Sequence, residues 1–264
     1  MMGSLDCRRR RLIVTTSRTK RSADFIAHLQ ALDFLCGFMP GLSSPGGPSH
    51  QAIDDVALMR ALPNMTVVEP ADAVEVTQAV DLIAEHPGPV YMRLKRGETP
   101  RIFEASHRLD LAKAQVLIGG AGEALIVAAG MTIPAALAAA CALERAGVSV
   151  TVVNSPVLKP LDSTTIAEAA RHSRIVVTAE NHTVIGGLGS AVAEALAEAG
   201  VTAPLRRIGI KDVFAESGSR EYLFSRYGLA TQDIVEAVWG GLTINRPPPS
   251  APSYEAAPGE YAPV

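Results

Sequence analysis

The chain has 264 residues, of which 48% are hydrophobic and 5% aromatic, and its formal net charge is −3. A chain of this length holds one large domain or two of moderate size with proper cores. No extended face of Lys and Arg follows the first two dozen residues, which argues against a nucleic-acid partner. No apolar run approaches the roughly 20 residues that span a bilayer, so we expect no membrane partner either.

The N-terminal segment, residues 1–36, is basic and shows no regular pattern. We expect an irregular or disordered start, although an Arg-rich, acid-poor composition also suits an organelle transit peptide. Cys7, Cys36 and Cys141 are widely spaced and form neither a CxxC pair nor a metal-ligand pattern. We therefore expect a reducing, cytoplasmic environment and no metal site on this chain.

Regular patterning begins in residues 37–105. The β-branched run "NMTVVEP" (64–70) predicts a strand, "ADAVEVTQAVDLIAEH" (71–86) has apolar residues at helical spacing, and "GPVYMRLKRG" (88–97) predicts another strand. Strand, helix and strand in this order favour a parallel crossover. The predicted fold class is therefore α/β, beginning with part of a doubly wound parallel-sheet domain.

The remainder of the chain predicts a second domain. Residues 106–121 lose the alternation and contain turn-forming glycines, which indicates a linker. Residues 122–243 then alternate four apolar strands with helices, a pattern typical of a second, mostly parallel α/β domain. Residues 244–264 are rich in proline, and we expect a disordered tail.

A histidine lies in the stretch "GGPSHQAIDDVALMRALPN". Ser49 stands where an N-cap belongs, and Asp54 and Asp55 fall in the early turns, which predicts a helix beginning near His50. The positive end of a helix disfavours the imidazolium form, so the ring would stay neutral and able to accept or donate a proton. His50 is therefore a candidate catalytic residue, and the alternative is a polar surface histidine.

Two arginines, Arg93 and Arg96, end a predicted parallel strand at the edge where open α/β sheets place ligands. A planar guanidinium suits phosphate or carboxylate, so both are candidate substrate ligands. The alternative is that they lie on a solvated edge or pair with acids such as Glu98. Glu180 and His182 also end a predicted strand. The alternatives for this pair are residues of an interface, residues of a binding site, or residues that only form a tight turn between strand and helix.

Four motifs together resemble the C-terminal half of the transketolase superfamily of thiamine diphosphate enzymes, over about Gly37 to Leu242. They are "GGPSHQAIDDVALMRALPNMTVVEPADAVE", "GPVYMRLKRG", "AENHTVIGGLGSAV" and "IKDVFAESGSREYLFSRYGLATQDI". The resemblance implies part of a pyrimidine-binding domain followed by a transketolase C-terminal domain. It implies two-carbon ketol transfer with thiamine diphosphate shared with a partner chain, a diphosphate-binding subunit that also holds Mg²⁺.

The resemblance also assigns roles to residues. His50 matches a family histidine that contacts reacting oxygens and assists proton transfer, and Arg96 matches an arginine for the substrate phosphate. Gln51, in the histidine turn, and Arg93 complete the predicted substrate-binding set. Small-molecule ketose and aldose substrates are the expected ligands.

Two departures from the family pattern concern the substrate. Gly46 stands where sugar-phosphate transketolases have an acidic residue, and Phe38 stands where they have a second histidine. The resemblance therefore implies a substrate that is different or less phosphorylated.

Other family features are not recognisable in the chain, among them the glutamate that activates the cofactor and the "GDG" metal motif. We therefore expect a split-enzyme subunit that is incomplete alone and forms homo- or hetero-oligomers, such as dimers, or else a truncated product. Within the superfamily, the alternatives are a 2-oxoacid dehydrogenase beta chain and a deoxyxylulose phosphate synthase. An alternative of another class is a non-catalytic dimerisation or assembly module.

Overall fold

The computed structural model describes residues 12–15, 34–43, 45–95, 99–119 and 122–252. Its strands are β1 (Leu12–Thr15), β2 (Phe34–Phe38), β3 (Thr66–Val68), β4 (Val90–Leu94), β5 (Gln115–Ile118), β6 (Ala124–Ala128), β7 (Val150–Asn154), β8 (Val157–Lys159), β9 (Ile175–Thr183) and β10 (Leu205–Ile210). Its α-helices are α1 (Asp55–Ala61), α2 (Ala73–Glu85), α3 (Ile133–Arg145), α4 (Ser163–Arg171), α5 (Leu188–Glu198), α6 (Arg220–Arg226) and α7 (Thr231–Gly241). Residues 34–95 are called the N-terminal half below, and residues 122–252 the C-terminal half.

The first sheet has the strand order β1-β2-β4-β3-β8. The first four strands are parallel, and β8 pairs antiparallel with β3. Helix α2 connects β3 to β4, and it begins where the Asp72 carboxylate accepts the backbone N–H groups of Val74 and Glu75. This segment confirms the predicted parallel strand-helix-strand unit.

The second sheet has the strand order β10-β9-β6-β7-β5. Strands β10, β9, β6 and β7 are parallel, and the edge strand β5 runs antiparallel to β7. The central strand β6 is buried along its whole length, as expected for a parallel strand covered on both faces. The predicted α/β fold class, with a second and mostly parallel sheet, is confirmed.

The two halves are joined by a common apolar core. Leu35 and Val67 of the first sheet belong to one buried cluster with Val127 of β6 and Leu188 of α5. Strand β8 strengthens this connection, because it follows β7 in the chain but adds its three residues to the first sheet. The two sheets are therefore held in a fixed relation, which allows side chains from both halves to form one site.

The opposite face of the second sheet is covered by α3 and α7. Ala135, Ala136 and Ala139 of α3 lie against Ile126, and small side chains let the helix approach the sheet closely. Trp239 of α7 joins the same cluster. Among the described helices, none is long and apolar enough to cross a membrane.

The structure differs from the sequence predictions at three places. Within 1–36, expected to be irregular, β1 pairs in parallel with β2, because a short β-branched run suits an edge strand. Within the predicted linker 106–121, residues 115–118 form β5. Both segments add edge strands, which are short and carry little periodic signal.

The third difference is in the proline-rich tail, predicted to be disordered over 244–264. Residues 244–252 pack against α7: the Trp239 indole N–H donates to the Arg246 carbonyl over 2.7 Å, and Ile244 contacts the core. The Arg246 guanidinium lies 5.1 Å from the Trp239 ring centroid, in a cation–π contact. Residues 253–264 lie outside the described residues.

The central position of β6 leads to a prediction about stability. Ile126 has no exposed surface, so Ile126→Ala loses buried methyl groups and leaves a cavity, which lowers the free energy of unfolding by about 2–5 kcal/mol. Val116 on the edge strand β5 is 53% exposed, so Val116→Ala should change it by less than about 0.5 kcal/mol. Urea unfolding measures both values, and equal losses would contradict the central placement of β6.

Candidate functional site

His50 lies in an exposed turn. Gly47 takes a left-handed conformation, with φ of 71°, and a 3₁₀ helix follows over Pro48–His50. The turn closes through the His50 N–H, which donates to the Gly47 carbonyl over 2.9 Å. The imidazole Nδ1 lies 2.8 Å from Ser49 Oγ, and Nε2 makes no hydrogen bond to the described residues. The ring is therefore open to a ligand.

The helix predicted to begin near His50 begins at Asp55 instead. Gln51 is extended, and Ala52 pairs with the loop before the turn. Ala52 N–H donates to Met39 O over 3.1 Å, and Gly41 N–H donates to Ala52 O over 2.7 Å. His50 therefore precedes α1 by five residues and does not sit at its positive end, so the helix-field argument for a neutral ring does not apply.

Gln51 faces into the protein. It is 5% exposed, and its side-chain amide donates to the Glu216 carbonyl over 3.1 Å. The neighbouring Gly47 lies against Ser217, since a Cβ on Gly47 would come within 2.5 Å of Ser217 Oγ. In this structure Gln51 joins the histidine turn to the C-terminal half, and its predicted contact with a substrate stays a prediction.

Arg93 lies at the centre of a buried ionic cluster. Its Nε donates to Asp55 Oδ2 over 2.9 Å, and its Nη1 donates to Glu69 Oε1 over 2.8 Å. Its Nη2 donates to the carbonyl oxygens of Ala52 and Asn181 and to the second Asp55 oxygen. The guanidinium has no exposed surface. Each of the three guanidinium nitrogens thus donates to a protein acceptor in this structure, and the predicted contact with a substrate stays a prediction.

Charge complementarity sets the ionisation of this cluster. Burial alone would raise the pKa of Asp55, but the charge of Arg93 and a 2.6 Å hydrogen bond from Tyr91 hold it below its ordinary value. Burial and the Asp55 carboxylate raise the pKa of Tyr91 well above its usual value. Asp55 therefore stays a carboxylate, and Tyr91 stays a protonated donor.

Three consecutive residues at the end of β9 connect the C-terminal half to this cluster. The Glu180 carboxylate accepts the N–H groups of Leu188 and Gly189, the first residues of α5. Asn181 accepts from the Leu42 N–H over 2.9 Å. The next residue, His182, contacts the first turn of α1. The "ENH" run therefore forms hydrogen bonds with the beginnings of α5 and α1 and with the loop after β2.

His182 completes the beginning of α1 as a neutral ring. Asp54, the N-cap, makes no side-chain hydrogen bond to the helix, and the Ala57 N–H points to His182 Nε2 at 3.4 Å. His182 Nδ1 lies 2.7 Å from the Thr183 carbonyl, so Nδ1 carries the proton. Burial lowers the pKa of His182 to about 4, so the 3.8 Å approach to Asp55 is not an ion pair near neutral pH.

Two buried carboxyl groups at the boundary between the halves have raised pKa values. Burial raises the pKa of Glu180 to about 7, although the two backbone N–H groups partly offset it. Burial also raises the pKa of Glu75 to about 7. Glu75 accepts from Ala71 N–H over 2.7 Å and from the Asn154 side-chain amide of β7 over 2.8 Å. Both carboxyl groups are therefore expected to titrate near neutral pH.

The predicted site residues therefore separate into three groups. His50 is exposed, whereas Gln51 and Arg93 are buried and bonded to the protein. Arg96 lies outside the described residues. Sequence reasoning missed Asn181 as a contact. The signal that could have indicated it is the polar "ENH" run at the end of an apolar strand.

Comparisons with known proteins identify the family and the fold of the chain. The family model for the transketolase pyrimidine binding domain matches residues 19–101, and that for the transketolase C-terminal domain matches residues 112–234. A solved structure described as a split gene transketolase, inactive beta4 tetramer, is 44% identical with a TM-score of 0.74. The match covers 81% of this chain and 68% of that chain.

Two curated relatives cover most of this chain. A transketolase family protein, y4mN, from Sinorhizobium fredii is 45% identical over 83% of this chain and 66% of the relative. The 6-deoxy-6-sulfo-D-fructose transketolase subunit SqwH from a Clostridium species is 41% identical over 77% of this chain and 63% of the relative. The chain thus spans less than two thirds of the length of these curated relatives.

The Arg93 cluster predicts a large effect of a single substitution. Arg93→Met leaves Asp55 and Glu69 buried without their cation, so the free energy of unfolding should fall by about 3–5 kcal/mol. Arg101 pairs with Glu104 at the surface, so the matched control Arg101→Met should cost less than about 1 kcal/mol. Chemical unfolding at one protein concentration measures both, and a loss below 1 kcal/mol for Arg93→Met would contradict the cluster's role.

The raised pKa of Glu180 predicts a pH dependence of stability. Between its ordinary value of 4.5 and about 7, the carboxyl ionises in the unfolded chain but not in the folded one. Rising pH therefore lowers the free energy of unfolding through this window, by at most about 1.4 kcal/mol per pH unit. Glu180→Gln removes the titration, so its stability relative to the wild type should increase from pH 5 to pH 7.

Urea unfolding at several pH values checks this expectation. The matched control is Thr178→Val on the same strand, which carries no titrating group, so its offset from the wild type should stay constant. A difference between Glu180→Gln and the wild type that does not vary with pH would show that Glu180 is ionised alike in both states.

Proposed function

The chain belongs to the transketolase family, and on this premise we propose that it is the C-terminal subunit of a split transketolase. In this proposal it contributes to thiamine diphosphate-dependent two-carbon ketol transfer together with a partner chain. Family membership confirms the resemblance stated from the motifs. The cytoplasm is the proposed location of the complex.

The observation that carries the proposal is the state of His50. The ring is exposed, with Nε2 open, while the turn beneath it is fixed to the rest of the chain through Ala52 and Gln51. An imidazole held in this way can accept or donate a proton at an oxygen of a bound substrate. We therefore assign His50 to proton transfer at the reacting oxygens.

The described residues do not fit the diphosphate end of the cofactor. In this part of the chain, no three potential metal-ligating side chains come together. Asp55, Glu69 and Glu75 are buried and already accept hydrogen bonds from protein donors. The proposal therefore assigns Mg²⁺ and the diphosphate to the partner. Thiamine diphosphate, when bound, supplies an electron sink for carbon-carbon cleavage.

The names of the relatives support a subunit role. The S. fredii protein is described as a transketolase family protein, the Clostridium protein as a subunit acting on 6-deoxy-6-sulfo-D-fructose, and the solved relative as an inactive beta4 tetramer. We propose that this chain likewise self-associates, is inactive alone, and acts on ketose and aldose substrates once the partner is bound. Arg96 stays the proposed ligand for an anionic group of the substrate.

Reconstitution tests the proposal directly. The chain is co-expressed with a diphosphate-binding subunit that carries a "GDG" motif, and ketol transfer is assayed with thiamine diphosphate and Mg²⁺. We expect transfer from the complex and none from either chain alone. A complex that binds the cofactor but transfers nothing would favour the assembly module instead.

Within that complex, His50→Ala should lower kcat/KM by about 10²–10⁴-fold, because general acid–base assistance is lost. His172 is another exposed histidine, at the end of α4, so the matched control His172→Ala should retain wild-type activity. Gel filtration establishes that both variants still bind the partner. Unchanged turnover by His50→Ala would remove His50 from the reaction.

A further inference from the structure

We infer that Asn181, in the C-terminal half, is a positioning residue for the turn that carries His50. The inference deepens the proposed function and rests on it where it concerns turnover. The claim that Asn181 fixes the position of the turn does not depend on the proposed function. It gives the C-terminal half a part in the active site through a residue that lies outside the turn itself.

The first step is the contact between Asn181 and the loop that follows β2. The Asn181 side chain has no exposed surface. Its Oδ1 accepts from the Leu42 N–H over 2.9 Å, and its Nδ2 donates to the Pro40 carbonyl over 3.3 Å. Because both ends of the amide bond to backbone groups of one short segment, Asn181 fixes the position and direction of residues 40–42.

The second step connects that segment to His50. Gly41 donates its N–H to Ala52 O over 2.7 Å, and Ala52 donates its N–H to Met39 O over 3.1 Å. These two hydrogen bonds form a parallel bridge between Pro40 and Ala52. Ala52 lies two residues after His50. The loop that Asn181 binds therefore also binds the chain next to the histidine turn and helps to fix the position of that turn.

Gly41 shows how closely the loop after β2 packs against Asn181. Its φ is 53°, in the left-handed region, and a Cβ there would lie 2.1 Å from the Asn181 carbonyl oxygen and 2.3 Å from Asn181 Oδ1. Any side chain at this position would displace Asn181 or the loop. Gly41 therefore provides a second position, on the opposite side of the contact, at which the support can be disturbed.

The turn needs such a support because it has little hold of its own. The 3₁₀ helix Pro48–His50 contains no buried residue. Because no apolar side chain of the turn is buried, the position of the His50 ring depends on the hydrogen bonds of the neighbouring residues Gln51 and Ala52. A displacement of about 1 Å at a reacting group can cost roughly 10²-fold in rate, so a loosened support should reduce turnover.

The test compares Asn181→Leu with Thr178→Val. Asn181→Leu keeps the approximate shape but removes both hydrogen bonds to the loop and the weaker one to Met131 Sδ. Thr178 lies on the same strand, is fully buried, and its hydroxyl has no hydrogen-bond partner in the described structure. Amide hydrogen exchange is measured on the full chain alone. We expect exchange at Leu42 and Ala52 to become at least about tenfold faster in Asn181→Leu, with the β6 amide of Ile126 unchanged, and no change in Thr178→Val.

In the reconstituted complex, Asn181→Leu should lower kcat by about 10-fold to 100-fold with little change in KM for the ketose, because His50 is misplaced and substrate binding is retained. A loss of kcat without faster exchange at Leu42 and Ala52 would overturn the inference. Faster exchange with wild-type kcat would also overturn it.

If the complex formed with the wild-type chain shows no turnover, the proposed function is wrong. The hydrogen-exchange measurement still decides whether Asn181 holds the histidine turn. If Asn181→Leu does not fold, Gly41→Ala replaces it, with the same expected exchange and kinetic results. Unchanged exchange at Leu42 and Ala52 in Gly41→Ala would then reject Asn181 as the support of the turn.

Discussion

A guanidinium with no exposed surface needs acceptors for its donors, because an unpaired buried charge costs several kcal/mol. Arg93 finds them in the Asp55 carboxylate at the start of α1, the Glu69 carboxylate after β3, and two backbone carbonyls. One carbonyl belongs to Ala52, beside the histidine turn, and the other to Asn181, at the end of β9. The start of α1, the end of β3, the residues after the turn and the C-terminal half therefore cannot shift independently without leaving a charge unpaired.

The residues on either side of Asn181 extend this constraint to two helices. Glu180 accepts the first N–H groups of α5, and His182 faces the first turn of α1 from the other half of the chain. Both groups do so at the cost of desolvation, which raises the pKa of Glu180 and lowers that of His182. Burial thus disfavours charge on each of them, and their hydrogen bonds lie beside the one ionic cluster formed by Arg93, Asp55 and Glu69.

Local pattern is sufficient to predict the α/β class, the β3-α2-β4 unit and the four parallel strands of the second sheet, since each contains an apolar or β-branched run or apolar residues at helical spacing. It could not predict that β8, three residues long, crosses into the first sheet, because that pairing depends on contacts distant in the sequence. The site followed the same division. The motif predicts His50 as a site residue, and the structure shows that its ring is exposed. The sequence does not show that Asp55 accepts from Arg93, because the two residues are distant in the chain. Sequence spacing alone does not show which polar groups face one another across two sheets.

The polar boundary explains how an exposed histidine can still be placed accurately. An apolar boundary would stabilise the two halves at least as well, because buried ion pairs often add no net stability relative to hydrophobic packing. Hydrogen bonds, however, are directional, so the contacts of Arg93 and Asn181 fix one register between the loop, Ala52 and β9. The turn over Pro48–His50 contains no buried residue, so its position depends on the hydrogen bonds of the neighbouring Ala52 and loop. The residues of this turn are exposed, so the partner chain of the proposed function could approach His50 without displacing a buried side chain.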